Sequence, residues 1–172
     1  KGFSENGYPF VYPPLTFYVM GLFSILLGSI LKVSLYLPGI FLLIQALLMF
    51  FFVLRWRDSK VEAGFAAMLI MLMPHMFYRS IFADGITTGL AGIFLLLSWI
   101  SLFGKIYDRK PVIGSIIGGI LVGLSILSHP AVGLVSAVSY VAWTVEKNGF
   151  RKNSILLVLI AGISGLVTIS PW

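Results

Sequence analysis

Seven apolar runs, separated by short polar turns, limit what this chain can fold into: residues 15–31, 36–54, 61–78, 85–103, 112–128, 131–145 and 154–170. A helix rises ~1.5 Å per residue, so a 19-residue run such as 36–54 reaches ~28 Å, close to the ~30 Å hydrocarbon core of a bilayer. At 59% hydrophobic and 10% charged, with a mean hydropathy of +1.02, the 172 residues carry more apolar surface than one water-soluble core could hide. Backbone amides inside lipid must bond to one another, and within a single apolar run only a helix does this. The expected class is an all-α polytopic membrane protein, a single transmembrane domain over residues 1–172. Lys1 at the start and Pro171-Trp172 at the end lead us to expect a piece of a longer chain. No basic start, short apolar core and small-residue cleavage site marks a removed targeting segment.

Charge gives the orientation. The loops "RWRDSK" (55–60), "GKIYDRK" (104–110) and "EKNGFRKN" (146–153) hold nine of the twelve Lys and Arg, and each falls between alternate pairs of runs. By the excess of basic residues in cytoplasmic loops they share the inner side of a plasma (inner) membrane, crossed several times. Lys32 to Leu35, "RSIFADG" (79–85), "SHP" (128–130) and the terminal "SPW" then fall on the outer side. The net charge of +6 lies in these loops rather than along a continuous face, which argues against a nucleic-acid partner. Run 131–145 is short for a crossing and follows a proline turn, so that turn is expected slightly below the surface. Run 15–31, with Gly21 and Gly28 and the pair Pro13-Pro14 ahead of it, suits a crossing or an interfacial helix equally well on these grounds.

Most polar residues have a structural reading beside any functional one. Ser59 and Glu62 have capping-box spacing. In "GSIIGGILVG", Gly114 with Gly118 and Gly119 with Gly123 form four-residue small ridges, which let membrane helices pack closely; "GITTG" and "AGISG" read the same way. His75, after Pro74, suits carbonyls freed by a proline kink. Asp84 stands just before a helix, where it can cap, and Arg79 can snorkel to the surface. Alternatively the two face a polar cavity, where the guanidinium could clamp a phosphate with help from the helix N-terminus. His129 is either a cap at the turn before Pro130 or a donor to a lipid phosphate. Zero cysteines exclude disulfides, thiolate metal sites and a cysteine nucleophile. No metal-ligand spacing is visible; a divalent metal stays open and the cofactor unknown.

The order of "YPPLTFYVMGLFSILLG", "LPGIFLLIQALLMFFFVLRWRDSKVEAGFAAMLIMLMP", "RSIFADG", "GLSILSHPAVGL" and "GLVTISPW" resembles the GT-C superfamily of polytopic glycosyltransferases. The likeness is to relatives of the protein mannosyltransferases and of the lipid A aminoarabinose transferase, and it covers essentially the whole chain. It implies that the proline stretch begins a juxtamembrane helix on the outer face, so residues 1–35 form an outer loop and juxtamembrane or re-entrant helix. Residues 36–170 then supply about six transmembrane helices. The implied reaction moves a sugar from a polyprenyl-phosphate carrier to a protein or glycolipid acceptor on the outer face. Asp84 occupies the place of an acidic residue near the related sites, and His129 a place where some relatives have lysine. Arg79, His129 and Tyr12 are the implied substrate-binding residues. Tyr12 departs from the lysine of the aminoarabinose transferases and offers a hydrogen bond without fixed charge. The family's principal acid lies upstream of the proline stretch, and Glu5 does not match its position. Two other classes compete: a non-catalytic GT-C-like scaffold among other membrane subunits, and a small-solute transporter, which would show two related halves.

Overall fold

The computed structural model describes residues 14–72 and 85–171. Among them there are seven longer helices and one five-residue helix, and no strand: α1 Leu15–Leu27, α2 Ile30–Arg57, α3 Lys60–Leu72, α4 Gly85–Leu102, α5 Lys105–Arg109, α6 Pro111–Ser128, α7 Pro130–Asn148 and α8 Lys152–Ile169. Among the described residues four stretches are long and apolar enough to cross a membrane: Ile30–Arg57, Gly85–Arg109 (counted through α5), Pro111–Ser128 and Lys152–Ile169. By length and composition this is a membrane protein. α7 matches the shorter of them in length at 19 residues, running three residues nearer the C-terminus than the apolar run at 131–145 because Glu146, Lys147 and Asn148 continue it.

The first chain reversal differs from the expectation. Lys32 to Leu35 form no loop; they lie inside α2, which starts six residues earlier than the apolar run at 36. The break falls at Gly28, left-handed at φ 66, followed by extended Ser29, whose hydroxyl accepts the Lys32 N–H at 3.5 Å. A glycine that can take positive φ ends one helix, and a serine cap starts the next. α1, at 13 residues, is ~20 Å long and α2, at 28 residues, is ~42 Å. The first turns of α2 therefore exceed one hydrocarbon thickness, and α1 covers them: Leu15, Val19, Met20 and Phe23 pack on a core of Val33, Leu37, Phe41, Ile86 and Leu90.

The centre is α4, packed against α2, α6 and α7. α6 in turn lies along α8, and the glycine ridges explain how closely. A Cβ on Gly114 would strike Tyr107, one on Gly118 would strike Tyr140, and one on Gly119 would strike the Ala161 carbonyl. At Gly123 it would lie 2.8 Å from Thr168. One pair of glycines thus admits α5 and α7, the other α8, as expected of small-residue packing in lipid. Gly89, in "GITTG", leaves room for Phe41 at 3.1 Å.

The three basic loops meet at one end of the bundle. Lys147 Nζ donates to Asp108 at 2.7 Å and to the Leu102 carbonyl, while Asn148 Nδ2 donates to the Tyr107 hydroxyl at 2.8 Å. Arg55 reaches over Gly104. Just inside this end lie Phe52, Trp56, Trp99, Phe103 and Trp143, with ring centres 4.9–6.1 Å apart. Aromatic rings gather at membrane interfaces because one edge is apolar and the other tolerates water. Trp99 fits this, donating its indole N–H to Ser139 Oγ at 2.8 Å.

Candidate functional site

Three described segments come together at the end opposite the basic loops: the start of α1, the start of α4 and the α6–α7 turn. Pro14 opens α1, its carbonyl accepting from Phe17 at 3.0 Å and Tyr18 at 3.2 Å. Two residues on, the fully buried Thr16 donates its hydroxyl to the Ser128 carbonyl at 3.4 Å. That carbonyl is among the last four of α6, which a helix leaves without an internal partner. Ile86, at the start of α4, belongs to the same core as Leu15 and Val19. Deeper, Ser125 Oγ donates to the Ala91 carbonyl at 3.0 Å, fixing α6 against α4.

His129 is where α6 ends and α7 begins. Its extended backbone (φ −159°, ψ 109°) breaks the helix, its N–H still bonds Ser125 at 2.9 Å, and its carbonyl accepts from Gly133 at 2.9 Å. Its Nδ1 accepts the Val132 N–H at 3.4 Å, capping α7, with Pro130 at the first position where the missing N–H costs nothing. A Cβ on Gly133 would collide with Ile126, so the two helices close tightly behind the turn. The capping reading of His129 is thus observed. An accepting Nδ1 puts the proton of a neutral ring on Nε2, so the imidazole offers a donor directed away from the cap. Thr87, Thr88 and His129, as well as Phe17 and Tyr18, each engage in further contacts.

Tyr12, Arg79 and Asp84, with His75, lie outside the described residues. The segments that flank Tyr12, Asp84 and His129 are nevertheless adjacent in the described part of the chain, through Thr16, Ile86 and Ser128. Among the described residues no group of three or more His, Asp or Glu is close enough to hold a metal ion.

Two polar positions near this end were missed by sequence reasoning. Gln45, 6% exposed in mid-α2, donates Nε2–H to the Gly89 carbonyl at 2.8 Å, and Thr16 is fully buried. The signal for Gln45 was available, since it is the only amide in the apolar run 36–54. Glu62, read as structural, accepts Arg57 Nε–H at 3.1 Å while its N–H donates to Ser59 Oγ at 3.3 Å. The serine half of the capping box forms, and the carboxylate pairs with arginine. No family model, no curated protein and no solved structure matches this chain.

Proposed function

We propose that this chain is the membrane portion of a GT-C type glycosyltransferase of the plasma (inner) membrane, acting on the outer face on a polyprenyl-phosphate-linked sugar. The observation that carries the reading is the Thr16–Ser128 contact. It joins the segment after Tyr12 to the residue before His129, beside the start of α4 that follows Asp84 and at the end remote from the basic loops. Three residues chosen from separate loops of the sequence thereby have neighbouring flanks.

In the proposed transfer a hydroxyl oxygen of the protein or glycolipid acceptor bonds to the anomeric carbon of the sugar. The bond from that carbon to the carrier phosphate breaks, and its electron pair leaves on the phosphate oxygen. Asp84 takes the hydroxyl proton as general base. Arg79, the His129 Nε2–H and the N-terminal amides of α4 hold the departing phosphate, where fixed donors and positive charge act most strongly as negative charge develops. Tyr12 adds a neutral donor. Any metal stays outside this assignment.

The test is sugar transfer from a polyprenyl-phosphate donor by membranes carrying the full protein or its Asp84→Asn variant. Loss of a general base lowers turnover by about 10²- to 10⁴-fold. Wild-type turnover in a well-folded Asp84→Asn protein removes the assignment. Absence of transfer by the wild type with every carrier offered favours the non-catalytic scaffold.

A further inference from the structure

The basic end carries a groove that the proposed transfer does not use. It has a volume of about 540 Å³ and lies between the end of α2, the last turns of α4, α5 and the first half of α6. Its mouth holds Arg55 and Lys105, both exposed, and Arg55 lies across Gly104, with a guanidinium nitrogen 3.4 Å from where a Cβ would stand. A second recess of about 350 Å³ shares Lys105 and adds Arg109 and Lys110. The carboxylate among these lining residues is Asp108, which Lys147 already engages at 2.7 Å. Two cations therefore line the groove and two more the adjoining recess, against one acid that is paired.

The floor has a different chemistry. Leu97 and Ile100 of α4 face Ile117 and Leu121 of α6, and both helices carry this apolar lining about 10 Å from the mouth toward mid-bundle. A soluble anion could use the cations but would leave the floor wet. An amphiphile with an anionic head and an acyl chain matches both parts, and basic recesses between helices at a cytoplasmic surface suit such headgroups. We propose that this groove is a binding site for an anionic glycerophospholipid of the inner leaflet, its phosphate between Arg55 and Lys105 and one acyl chain along Leu97, Ile117 and Leu121.

The experiment uses the full chain in neutral detergent, titrated with phosphatidylglycerol or phosphatidylcholine, with retained lipid counted by native mass spectrometry. Wild type is expected to retain phosphatidylglycerol roughly tenfold more tightly. Arg55→Gln/Lys105→Gln is expected to abolish that preference, whereas Arg151→Gln/Lys152→Gln, equal in charge and outside the groove lining, keeps it. Leu121→Trp, which blocks the floor and leaves every cation in place, is expected to weaken retention as well, and it decides the matter if the double variant does not fold. Equal retention of the two lipids overturns the proposal, as does equal loss in the two charge variants. So does full retention by Leu121→Trp, or displacement of the lipid by millimolar inorganic phosphate, which would mark a free-anion site.

Discussion

Gly119 of α6 lies directly against the backbone of Ala161 in α8: a Cβ there would collide with the Ala161 carbonyl, and Gly165 sits reciprocally with its missing Cβ 3.1 Å from the Gly119 carbonyl. Backbone against backbone leaves no flexible side chain to move aside. Gly119→Ala is therefore expected to destabilise the fold by about 1–3 kcal/mol, as overpacking does. Gly162, in the same stretch of α8, has open space at its Cβ position. Gly162→Ala is expected to be neutral or to stabilise by ~0.5–1 kcal/mol through helix propensity. Thermal unfolding of the two variants in detergent checks the pair, and equal midpoints would mean that the close approach contributes nothing.

Gln45 ties α2 to α4 in the same constrained way. Its amide donates to the Gly89 carbonyl, and a Cβ on Gly92 would lie 3.0 Å from the amide atoms. Gln45→Ala is expected to cost about 1–2 kcal/mol, the scale of an interhelical hydrogen bond in a membrane plus lost packing. Gly92→Ala alone pushes the amide off its partner, but with Gln45→Ala the amide that the added methyl would crowd is gone. The double-mutant cycle should therefore show a coupling of roughly 0.5–3 kcal/mol, as for residues in direct contact. Additive costs would show that the amide shifts without penalty.

At the basic end, Lys147 and Asp108 form an unequal pair. The lysine side chain is 21% exposed and the aspartate 56%. Lys147 also holds the Leu102 carbonyl and lies 5.2 Å and 4.8 Å from the ring centres of Phe103 and Tyr107. Asp108→Asn removes a solvent-screened charge and is expected to cost under ~1 kcal/mol. Lys147→Met strips a helix-end carbonyl of its partner and two rings of their cation, so a larger loss, on the order of 2 kcal/mol, is expected. Chemical denaturation of the two single variants measures the asymmetry; equal costs would reduce Lys147 to a surface ion pair.

Much of this bundle was legible because lipid enforces simple rules. Run lengths gave the helices, and nine clustered cations correctly placed three loops at one end. The spacing of Gly114, Gly118, Gly119 and Gly123 gave the packing faces of α6. The first reversal was misread because Lys32 looked like a loop residue, whereas the conformational signal was Gly28-Ser29, a left-handed glycine followed by a capping serine. The basic loop 104–110 concealed α5, since only tertiary contact shows that Tyr107 is buried against Gly114. For the candidate site, the sequence located His129 at its turn and gave its capping role. It could not show that Thr16 joins Ser128, because a contact between residues 112 positions apart leaves no local pattern.

His129 allows its two roles to be separated. As a cap, it needs only a side-chain acceptor for the Val132 N–H. As a phosphate ligand it needs a donor, with positive charge an advantage. Aspartate is as good a cap as any residue and its charge suits a helix N-terminus, so His129→Asp is expected to keep the unfolding free energy within about 0.5 kcal/mol of wild type or to raise it. Against a carrier phosphate the same change sets like charges together, and the apparent KM for the polyprenyl-phosphate donor is expected to rise roughly tenfold or more. His129→Ala, lacking both functions, should lose ~1 kcal/mol of stability and donor affinity together. If His129→Asp instead transfers sugar with wild-type kinetics, the imidazole is a cap alone, and phosphate binding falls to Arg79 and the start of α4.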